Sequence, residues 1–368
     1  MKDDTTRWRQ LDEAEEQKQK QKNIDELNND GYQLYCQCQY EHAAILFSQA
    51  ASLAKQRGNL SAQCKNLHWE GTCYLHDKQS KKALACFLQA EQLGGLDSVN
   101  QFYNLIGLFN VAIDLCLPQI EIQSILDKLS PYKDAQQIGG SKSMVLEAEY
   151  TFLSACDKEA EALAKAQEAF ASQIDNMPCY HDVVYFEDLI TAYRLNHQTK
   201  EAWTTLHRWR KEVGCTVADT KRRQLMQELN LYYYENKLED AWDVLQRIKA
   251  EEQYLGRAGM YVSTLKWEIL IGTKTGHLEQ IKPTLNIIFR KYRNSENFSA
   301  RFMCYEAFAR YCCSSWHIAP QENREQMAGH ARFWLIKAER MAKYLDDLMH
   351  VTWRTEKIQG IRKDFEKI

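Results

Sequence analysis

The sequence predicts an all-α fold in which helical hairpins follow one another as an α-solenoid. Two observations lead to this prediction. The first is a shortage of helix breakers, because the 368 residues include only 15 glycines and 5 prolines, whereas average usage would supply about 26 and about 18. The second is an apolar pattern that repeats about every 40 residues. A chain of this length is long enough for two or three compact domains or for one elongated repeat array.

The repeat is clearest near the amino terminus, where residues 27–50 and 67–90 align at a constant offset of 40. The matched pairs are Leu27 with Leu67, Gly31 with Gly71, Leu34 with Tyr74, Ala43 with Ala83, Phe47 with Phe87, and Ala50 with Ala90. We expect Gly31 and Ala43 on opposite helices of one hairpin, where small residues allow a close approach. Ala43, Phe47 and Ala50 have the spacing of one stripe on the second helix.

Weaker copies of this stripe continue along the chain. They are Ala162, Ala166 and Ala169; Ala202, Leu206 and Trp209; Ala241, Leu245 and Ile248; Ile281, Leu285 and Ile288; and Ala331, Leu335 and Ala338. One copy is missing after Ala83, so we expect a degenerate unit near residues 102–130, with Pro118 and Pro131 around its second helix. An eighth helical pair is expected at about 296–314 and 323–346, before a last helix that reaches residue 368.

Residues 24–346 therefore resemble the tetratricopeptide repeat (TPR) family, in which a helix A glycine and an Ala-x3-Phe-x2-Ala stripe on helix B recur about every 34 residues. HEAT and armadillo repeats have periods of about 40 to 47 residues, but they lack the glycine–alanine pairing of the first two units. The resemblance implies a right-handed α-solenoid of about eight TPR-like hairpins, stabilised by contacts between neighbouring repeats. Residues 1–23 would be a charged lead-in and residues 347–368 a C-terminal capping helix.

The resemblance also implies where a partner would bind, because helix A of each TPR unit lines the concave groove. The expected partner-binding residues are Asn28, Tyr32, Tyr35, His68, His76, Asn110, Glu187, Arg194, Arg223, Asn230, Tyr233 and Lys266. Asn104 is the alternative to Asn110 in the degenerate unit. Asn and Arg can hydrogen-bond the backbone of an extended peptide, and Tyr adds rigid contact area. The histidines would either make the affinity depend on pH or serve as plain polar lining.

Composition argues against several classes of protein. The 47 basic and 50 acidic residues give a net charge of -3, so no overall positive field is available for nucleic acid. The sequence has no apolar run of roughly 18 residues that would predict a transmembrane helix, and no apolar stretch near Met1 that would predict a signal peptide. The 12 cysteines are scattered through a long chain, which favours free thiols and a cytoplasmic location.

No pattern for a catalytic, metal or cofactor site stands out. The cysteine clusters are Cys36 with Cys38, and Cys312 and Cys313 with His317. Neither cluster has the spacing of a structural zinc site. The Gly-Gly-Ser-Lys-Ser run at 139–143 lacks the spacing of a phosphate-binding loop, so we expect a helix N-cap at Ser141 or Ser143 instead. The sequence therefore predicts no metal, no cofactor and no enzymatic activity.

Together these features predict a non-catalytic TPR adaptor or scaffold that binds a peptide or protein segment in its concave groove. One alternative is a regulatory TPR protein that senses a peptide and changes its superhelix shape on binding. Another is the non-catalytic TPR partner of an enzyme. Two other surfaces stay open as partner sites, the lead-in around Trp8 and the basic clusters within 208–223 and 282–293. The basic clusters are either solvated faces or patches for an acidic segment, and the oligomeric state is open.

Overall fold

The computed structural model of the chain describes residues 23–367 apart from 38, 78, 95–96, 136, 173–178, 214–219, 255–261 and 296, and without the side chains of 179–182 and 262. The described residues form seventeen α-helices and one 3-10 helix, Ser130–Asp134, with no β-strand among them, which confirms the predicted all-α class. The α-helices are α1 (Ile24–Cys36), α2 (Tyr40–Gln56), α3 (Leu60–His76), α4 (Ser80–Gln92), α5 (Ser98–Leu115), α6 (Gln119–Leu129), α7 (Ser141–Ala155), α8 (Glu159–Ala171), α9 (Cys179–Leu195), α10 (Thr199–Glu212), α11 (Thr220–Tyr234), α12 (Leu238–Tyr254), α13 (Val262–Thr275), α14 (Leu278–Tyr292), α15 (Phe298–Ile318), α16 (Gln321–Met349) and α17 (Trp353–Glu366).

The chain divides into two compact units, Met1–Val111 and Ala112–Ile368, with the boundary inside α5. Within each unit a helix packs mainly against its neighbours along the chain. In the first unit α2 packs on α1 and α3, and in the second α8 packs on α7 and α9, while α16 packs on α15 and α17. Such sequential packing is what an α-solenoid requires, because each helical pair buries its apolar face only against the next.

The turns inside the hairpins repeat along the chain. In six of them a backbone N–H donates to the carbonyl oxygen five residues earlier, at 2.8–3.0 Å. The acceptor residues are Leu34, Tyr74, Ala112, Leu153, Tyr193 and Tyr232. Their intervals are 40, 38, 41, 40 and 39 residues. Because such a bond is typical of a helix that ends in a left-handed residue, these turns mark equivalent hairpins, including one in the degenerate unit.

The predicted apolar stripes are buried in each unit. All residues of the seven stripes that begin at Ala43, Ala83, Ala162, Ala202, Ala241, Ile281 and Ala331 are buried. Trp209 and Phe87 are fully enclosed, although both are large. The second helix of each of these hairpins therefore directs its stripe into the core, as the spacing predicts.

The helix A glycines lie against aromatic side chains of the second helix. A Cβ atom built on Gly31 would lie 3.1 Å from Phe47 Cζ, and one on Gly71 would lie 2.9 Å from Phe87 Cε1. The glycines therefore make room for an aromatic ring one turn beyond the stripe alanine. Gly107 in α5 approaches the same Phe87 ring, and its Cβ would lie only 2.5 Å from Cε1. Gly107 follows Gly71 by 36 residues, so the 40-residue offset misses it.

The first described helix, α1, begins with a side-chain cap. Residues 1–22 of the predicted lead-in lie outside the described residues. Asn23 is the N-cap of α1, where its side chain accepts the Glu26 backbone N–H at 2.9 Å and the Glu26 carboxylate accepts the Asn23 N–H at 2.9 Å. This reciprocal pair is a capping box, which satisfies two backbone donors of the first turn.

Two predicted helix boundaries are wrong. The N-cap of α7 is Gly140, in a left-handed conformation with φ 75°, and not Ser141 or Ser143. The Ser143 hydroxyl instead donates to the Gly140 carbonyl at 3.0 Å. At the other end α16 continues to Met349 and stops at His350, so the terminal helix begins at Trp353 and not at 347. His350 has φ 53°, which the helix cannot continue.

One contact in the second unit joins segments far apart in sequence. Asn297 caps α15 by accepting the Ala300 N–H at 2.9 Å, and its amide donates to Asp114 at the end of α5 at 2.8 Å. Cys116 Sγ lies 3.0 Å from Ser299 Oγ at the same place. The turn after α5 is therefore anchored to the start of α15, a pairing that no repeat pattern contains.

Candidate functional site

The candidate site is the helix A face, which we define by the side chains on the first helix of each hairpin. These helices are α1, α3 and α5 in the first unit, and α7, α9, α11, α13 and α15 in the second. This face contains all of the partner-binding residues that the sequence predicts.

In the first unit an aromatic cluster joins α1 and α3. Tyr35 Oη lies 3.0 Å from His76 Nε2, and both Tyr32 and Tyr35 meet Trp69 edge-on, with ring centroids 5.6 and 5.5 Å apart. Tyr32 is 51% exposed. The structure thus brings together three predicted residues, Tyr32, Tyr35 and His76, around a tryptophan that the sequence analysis missed. Aromatic groups in such edge-on contact form a rigid surface that is partly open to solvent.

Asn28 and His68 lie deeper in this unit and have unsatisfied polar atoms. Asn28 Oδ1 and His68 Nδ1 are buried and have no hydrogen-bond partner among the described residues. Burial lowers the pKa of His68 to about 4. This imidazole is therefore neutral near pH 7, so it does not make binding pH-dependent there.

The pKa of His68 predicts an acid-sensitive fold. A histidine that is neutral in the folded state but protonated when unfolded lowers stability as the pH falls from about 6.5 to about 4. We expect His68→Gln to reduce this fall in the free energy of unfolding by on the order of 2 kcal/mol. Urea unfolding at several pH values measures it, with the exposed His330→Gln as control. An unchanged pH dependence in His68→Gln would contradict the prediction.

The degenerate unit contributes one predicted residue to the surface and one to the core. Asn110 is exposed on α5. Asn104 is 1% exposed, and its amide donates to the Phe87 carbonyl oxygen at 3.0 Å. Asn104 therefore joins α4 to α5, and of the two alternatives only Asn110 is available to a partner.

In the second unit a group of carboxylates joins α7, α9 and α11. Glu187 pairs with Arg223 across α9 and α11, at 3.2 Å between oxygen and nitrogen. Burial raises the pKa of Glu147 on α7 to about 7, and the positive charge of Arg223 opposes the rise. Burial and the charges of Glu147 and Glu187 raise the pKa of Asp188 well above its ordinary value. The predicted residues Glu187 and Arg223 thus meet here. The carboxylates of Glu147 and Asp188, which were not predicted, lie beside them.

Arg194 lies at the carboxyl end of α9 with its hydrogen bonds incomplete. Its guanidinium carbon is 4.1 Å from the centroid of the Tyr234 ring, a distance at which a cation is attracted to the ring face. The Nε and Nη1 atoms are buried and donate to no acceptor in the described part of the chain. The guanidinium thus lies against the Tyr234 ring, with two of its donor nitrogens unpaired among the described residues.

Tyr233 and Asn230 lie on α11, the helix that also carries Tyr234. Tyr233 meets Trp267 of α13 edge-on at 4.9 Å, and Lys274 Nζ is 4.5 Å from the Tyr233 ring centroid. The Asn230 amide donates to the Met226 carbonyl of its own helix at 2.8 Å. Tyr233 and Trp267 therefore form a half-buried aromatic platform, whereas Asn230 already uses one donor internally.

Lys266 is the last of the predicted residues, exposed on α13. It acts electrostatically on Glu306 of α15 and on Lys357 of α17. Glu147 precedes Glu187 by 40 residues, and Glu306 follows Lys266 by 40. The 40-residue repeat alone could therefore have located Glu147 and Glu306. Trp69 and Trp267 each follow a predicted position, His68 and Lys266, by one residue, so no signal in the repeat marks them.

The first basic cluster forms ion pairs with neighbouring carboxylates. Arg208 Nε is 2.8 Å from Glu212, Arg210 is 2.6 Å from Glu228, and Lys221 is 2.6 Å from Glu251. Of the second cluster, Lys282 is 2.6 Å from Glu279. These pairs favour the interpretation of solvated, salt-bridged faces over patches for an acidic segment.

The described residues carry little other chemistry. The nine described cysteines are free thiols. Burial raises the pKa of Cys304 and of Cys313 to about 12, so both stay protonated near pH 7. No three described His, Cys, Asp or Glu residues converge as metal ligands. Nor does any described helix have the length and apolar character to cross a bilayer. Cys38 and Cys215 and the Cys179 side chain lie outside the described residues.

Comparison with known proteins adds no assignment. No protein-family model matches the chain, and no curated protein sequence matches it. Inference about function therefore depends on the geometry of the helix A face and on the repeat pattern.

Proposed function

We propose that this chain is a cytoplasmic, non-catalytic TPR-like adaptor or scaffold that binds an extended peptide or protein segment along its helix A face. In this proposal α1 to α16 form eight hairpins of a right-handed α-solenoid, and α17 caps the last one. The hairpin turns at intervals of 38 to 41 residues and the seven buried stripes support the repeat. The free thiols of the described cysteines support the cytoplasmic location.

The observation that carries the proposal is the incomplete hydrogen bonding of Arg194. Buried donors without acceptors are rare in folded proteins, and each costs free energy until it is satisfied. An extended peptide has a backbone carbonyl at every residue and needs donors for those that leave water. The two unpaired donor nitrogens of Arg194, Nε and Nη1, would supply them, while Tyr234 holds the guanidinium in advance and so lowers the entropic cost of binding.

The platform of Tyr233 and Trp267 supplies the apolar part of the same site. Both rings are half-buried and lie in edge-on contact at 4.9 Å, so a partner side chain would meet a surface that is already ordered. Tyr, Trp and Arg are the residue types that most often dominate binding energy at interfaces. Their combination on neighbouring helices is what a peptide groove requires.

The experiment is to identify a partner and then remove these contacts. Affinity capture from native lysate with mass spectrometry identifies candidates, and calorimetry then measures their binding to purified variants. We expect Arg194→Ala and Tyr233→Ala each to weaken binding by about 1–3 kcal/mol, with the melting temperature nearly unchanged. Matched controls on second helices of hairpins are Arg290→Ala and Tyr254→Ala, since both side chains are exposed.

A partner that binds both variants normally would contradict the proposal. The contradiction would be complete if the two control substitutions, or removal of residues 1–22, abolished binding instead. A site on the helix A face predicts that Arg194→Ala and Tyr233→Ala weaken binding. A site on the second helices predicts that Arg290→Ala and Tyr254→Ala do so instead.

A further inference from the structure

Three carboxylates on the helix A face of the second unit, which we call the acidic group, have too few cations. Glu147 lies on α7, and Glu187 and Asp188 lie on α9. Arg223 of α11 contacts Glu187 at 3.2 Å, whereas Glu147 and Asp188 form no ion pair with any described residue. Arg194 is the other arginine close to this group. With both arginines counted, the fully ionised group still has one negative charge in excess.

Other carboxylates inside the second unit are paired. The five that are buried among its described residues each lie 2.6–3.7 Å from an arginine or lysine nitrogen; they are Glu228, Glu252, Glu268, Glu306 and Asp346. This is expected, because removing a charge from water is costly unless the charge is paired. Glu147 and Asp188 are half-buried and depart from this pattern.

A buried hydroxyl group at the same place also lacks a partner. Tyr150 follows Glu147 by about one turn of α7 and is 5% exposed, and its ring packs with Leu189 and Ala192 of α9. Burial raises the pKa of its hydroxyl, and the charges of Asp188 and Glu147 raise it further. The hydroxyl therefore lies beside these carboxylates, yet it has no hydrogen-bond partner in the described part of the chain. Since buried hydroxyls are normally hydrogen-bonded, this one is available to a ligand.

The pKa values of the acidic group agree with a missing cation. Burial raises the pKa of Glu147 to about 7, and burial with the charges of Glu147 and Glu187 raises the pKa of Asp188. The charge of Arg223 opposes both rises without cancelling them. A further positive charge would lower both pKa values and offset the repulsion among the carboxylates.

The arrangement of the carboxylates limits what this cation can be. No three of the described Asp, Glu, His and Cys residues converge as metal ligands, so a divalent ion would find too few oxygen ligands. An ammonium or guanidinium group has several N–H donors that point in different directions. It can therefore bond carboxylates of two helices and the Tyr150 oxygen together. Lys and Arg side chains present these groups on long apolar stems, which suits a half-buried site.

The acidic group is continuous with the Arg194 site. Glu187 and Arg194 are seven residues apart on α9, which is about two turns of one helix face. Both face α11, because Glu187 contacts Arg223 at 3.2 Å and the Arg194 guanidinium lies 4.1 Å from the Tyr234 ring centroid. A segment that binds Arg194 can therefore also reach the acidic group.

We propose that the acidic group binds the side chain of a partner's Arg or Lys residue, which donates to Glu147, to Asp188 and to the hydroxyl oxygen of Tyr150. The inference rests on the proposed peptide-binding function and adds a preference for a basic residue at one point of the bound segment. Arg223 holds Glu187, and the other two carboxylates are left for the partner.

The test uses short blocked peptides and the full chain, with calorimetry as the measurement. One peptide has a central Leu-Arg-Leu, the second has citrulline, an uncharged analogue of similar shape, in place of Arg, and the third has Glu there. We expect the Arg peptide to bind about ten-fold more tightly than the citrulline peptide, because it adds charged hydrogen bonds, and the Glu peptide to bind most weakly. Asp188→Asn should remove most of the preference for Arg, and Tyr150→Phe should weaken Arg-peptide binding several-fold.

Two residues of α12 provide matched controls. Asp243→Asn and Tyr254→Phe make the same chemical changes at exposed positions on the second helix of a hairpin, so they should leave all three affinities unchanged. The two test substitutions should also preserve the fold. Asp188→Asn removes a repelling charge, and Tyr150→Phe removes a hydroxyl group with no partner among the described residues. Unchanged melting temperatures check this expectation.

The contrary results are distinct. Equal binding of the Arg and citrulline peptides, no binding of either, or a preference for Arg that survives Asp188→Asn would each overturn the proposal. A lysate partner that needs Arg194 and Tyr233 but not Asp188 would overturn this inference and leave the proposed function standing. A partner that needs Asp188 but neither Arg194 nor Tyr233 would refute the contacts of the proposed function and support the site for a basic residue.

Discussion

Gly107→Leu is expected to lower the stability of the first unit by about 3 kcal/mol. The Phe87 ring is fully buried between α3 and α5, and even a Cβ atom on Gly107 would lie 2.5 Å from Phe87 Cε1. The ring has little room to move, because Gly71 of α3 also approaches it closely and a Cβ there would lie 2.9 Å from Cε1. A leucine must therefore push α5 away from Phe87, which also strains the Asn104 hydrogen bond to the Phe87 carbonyl.

A second substitution tests that this contact is the cause. Phe87→Ala alone leaves a cavity and should cost about 3–5 kcal/mol. In the double variant the leucine can enter that cavity, so the total loss should be smaller than the sum of the two losses. Thermal unfolding followed by circular dichroism measures each value. Gly329→Leu is the control, since Gly329 is also helical but has no neighbouring atom within 4 Å. Equal melting temperatures for Gly107→Leu and Gly329→Leu would refute the close contact.

Asp346→Ala is expected to release α17 from the rest of the second unit. Asp346 is 3% exposed on α16. It accepts from Arg354 at 3.1 Å and from the Thr355 backbone N–H at 2.8 Å. Removal of the carboxylate leaves Arg354 buried without its partner, and breaking one member of a buried pair costs about 3–5 kcal/mol. Hydrogen exchange should show faster exchange of the α17 amides than in the unchanged protein.

The next residue provides the matched control for this effect. Asp347 is exposed on the same turn of α16, so Asp347→Ala changes the net charge identically without touching Arg354. We expect normal exchange protection of α17 in that variant. If both substitutions left α17 equally protected, then the apolar contacts of Ile358 and Phe365 would hold the helix alone, and the buried pair would have no part in docking it.

The sequence predicted the helices and their buried faces well, for a local reason. A stripe such as Ala202, Leu206 and Trp209 is set by helical spacing, and spacing is visible along the chain. Boundaries were less predictable where one residue decides them by its backbone conformation. Gly140 and His350 both adopt positive φ. Gly140 is therefore the N-cap of α7 in place of the predicted serines, and α16 ends at His350 and not at residue 346.

The candidate site was only half predictable from the sequence. Counting positions within the repeat located Tyr32, Tyr35 and His76, which the structure brings together. The same counting could not separate Asn110 from the buried Asn104, because burial depends on which helix packs alongside. Trp69 and Trp267 stand one residue from predicted positions, and only the rotation of each helix on its neighbours turns them toward the tyrosines.

By itself the sequence determined that this chain forms helices of hairpin length, with one apolar stripe each and turns about 40 residues apart, because helical periodicity and turn chemistry are local properties. Only the tertiary structure decided which groups meet across the stack. It places Arg194 on Tyr234 with two donor nitrogens unpaired, Arg310 and Lys357 on Glu306, and Asp114 against Asn297 across 183 residues. Such contacts depend on the accumulated rotation and spacing of many helices, and no single segment of the sequence encodes that sum.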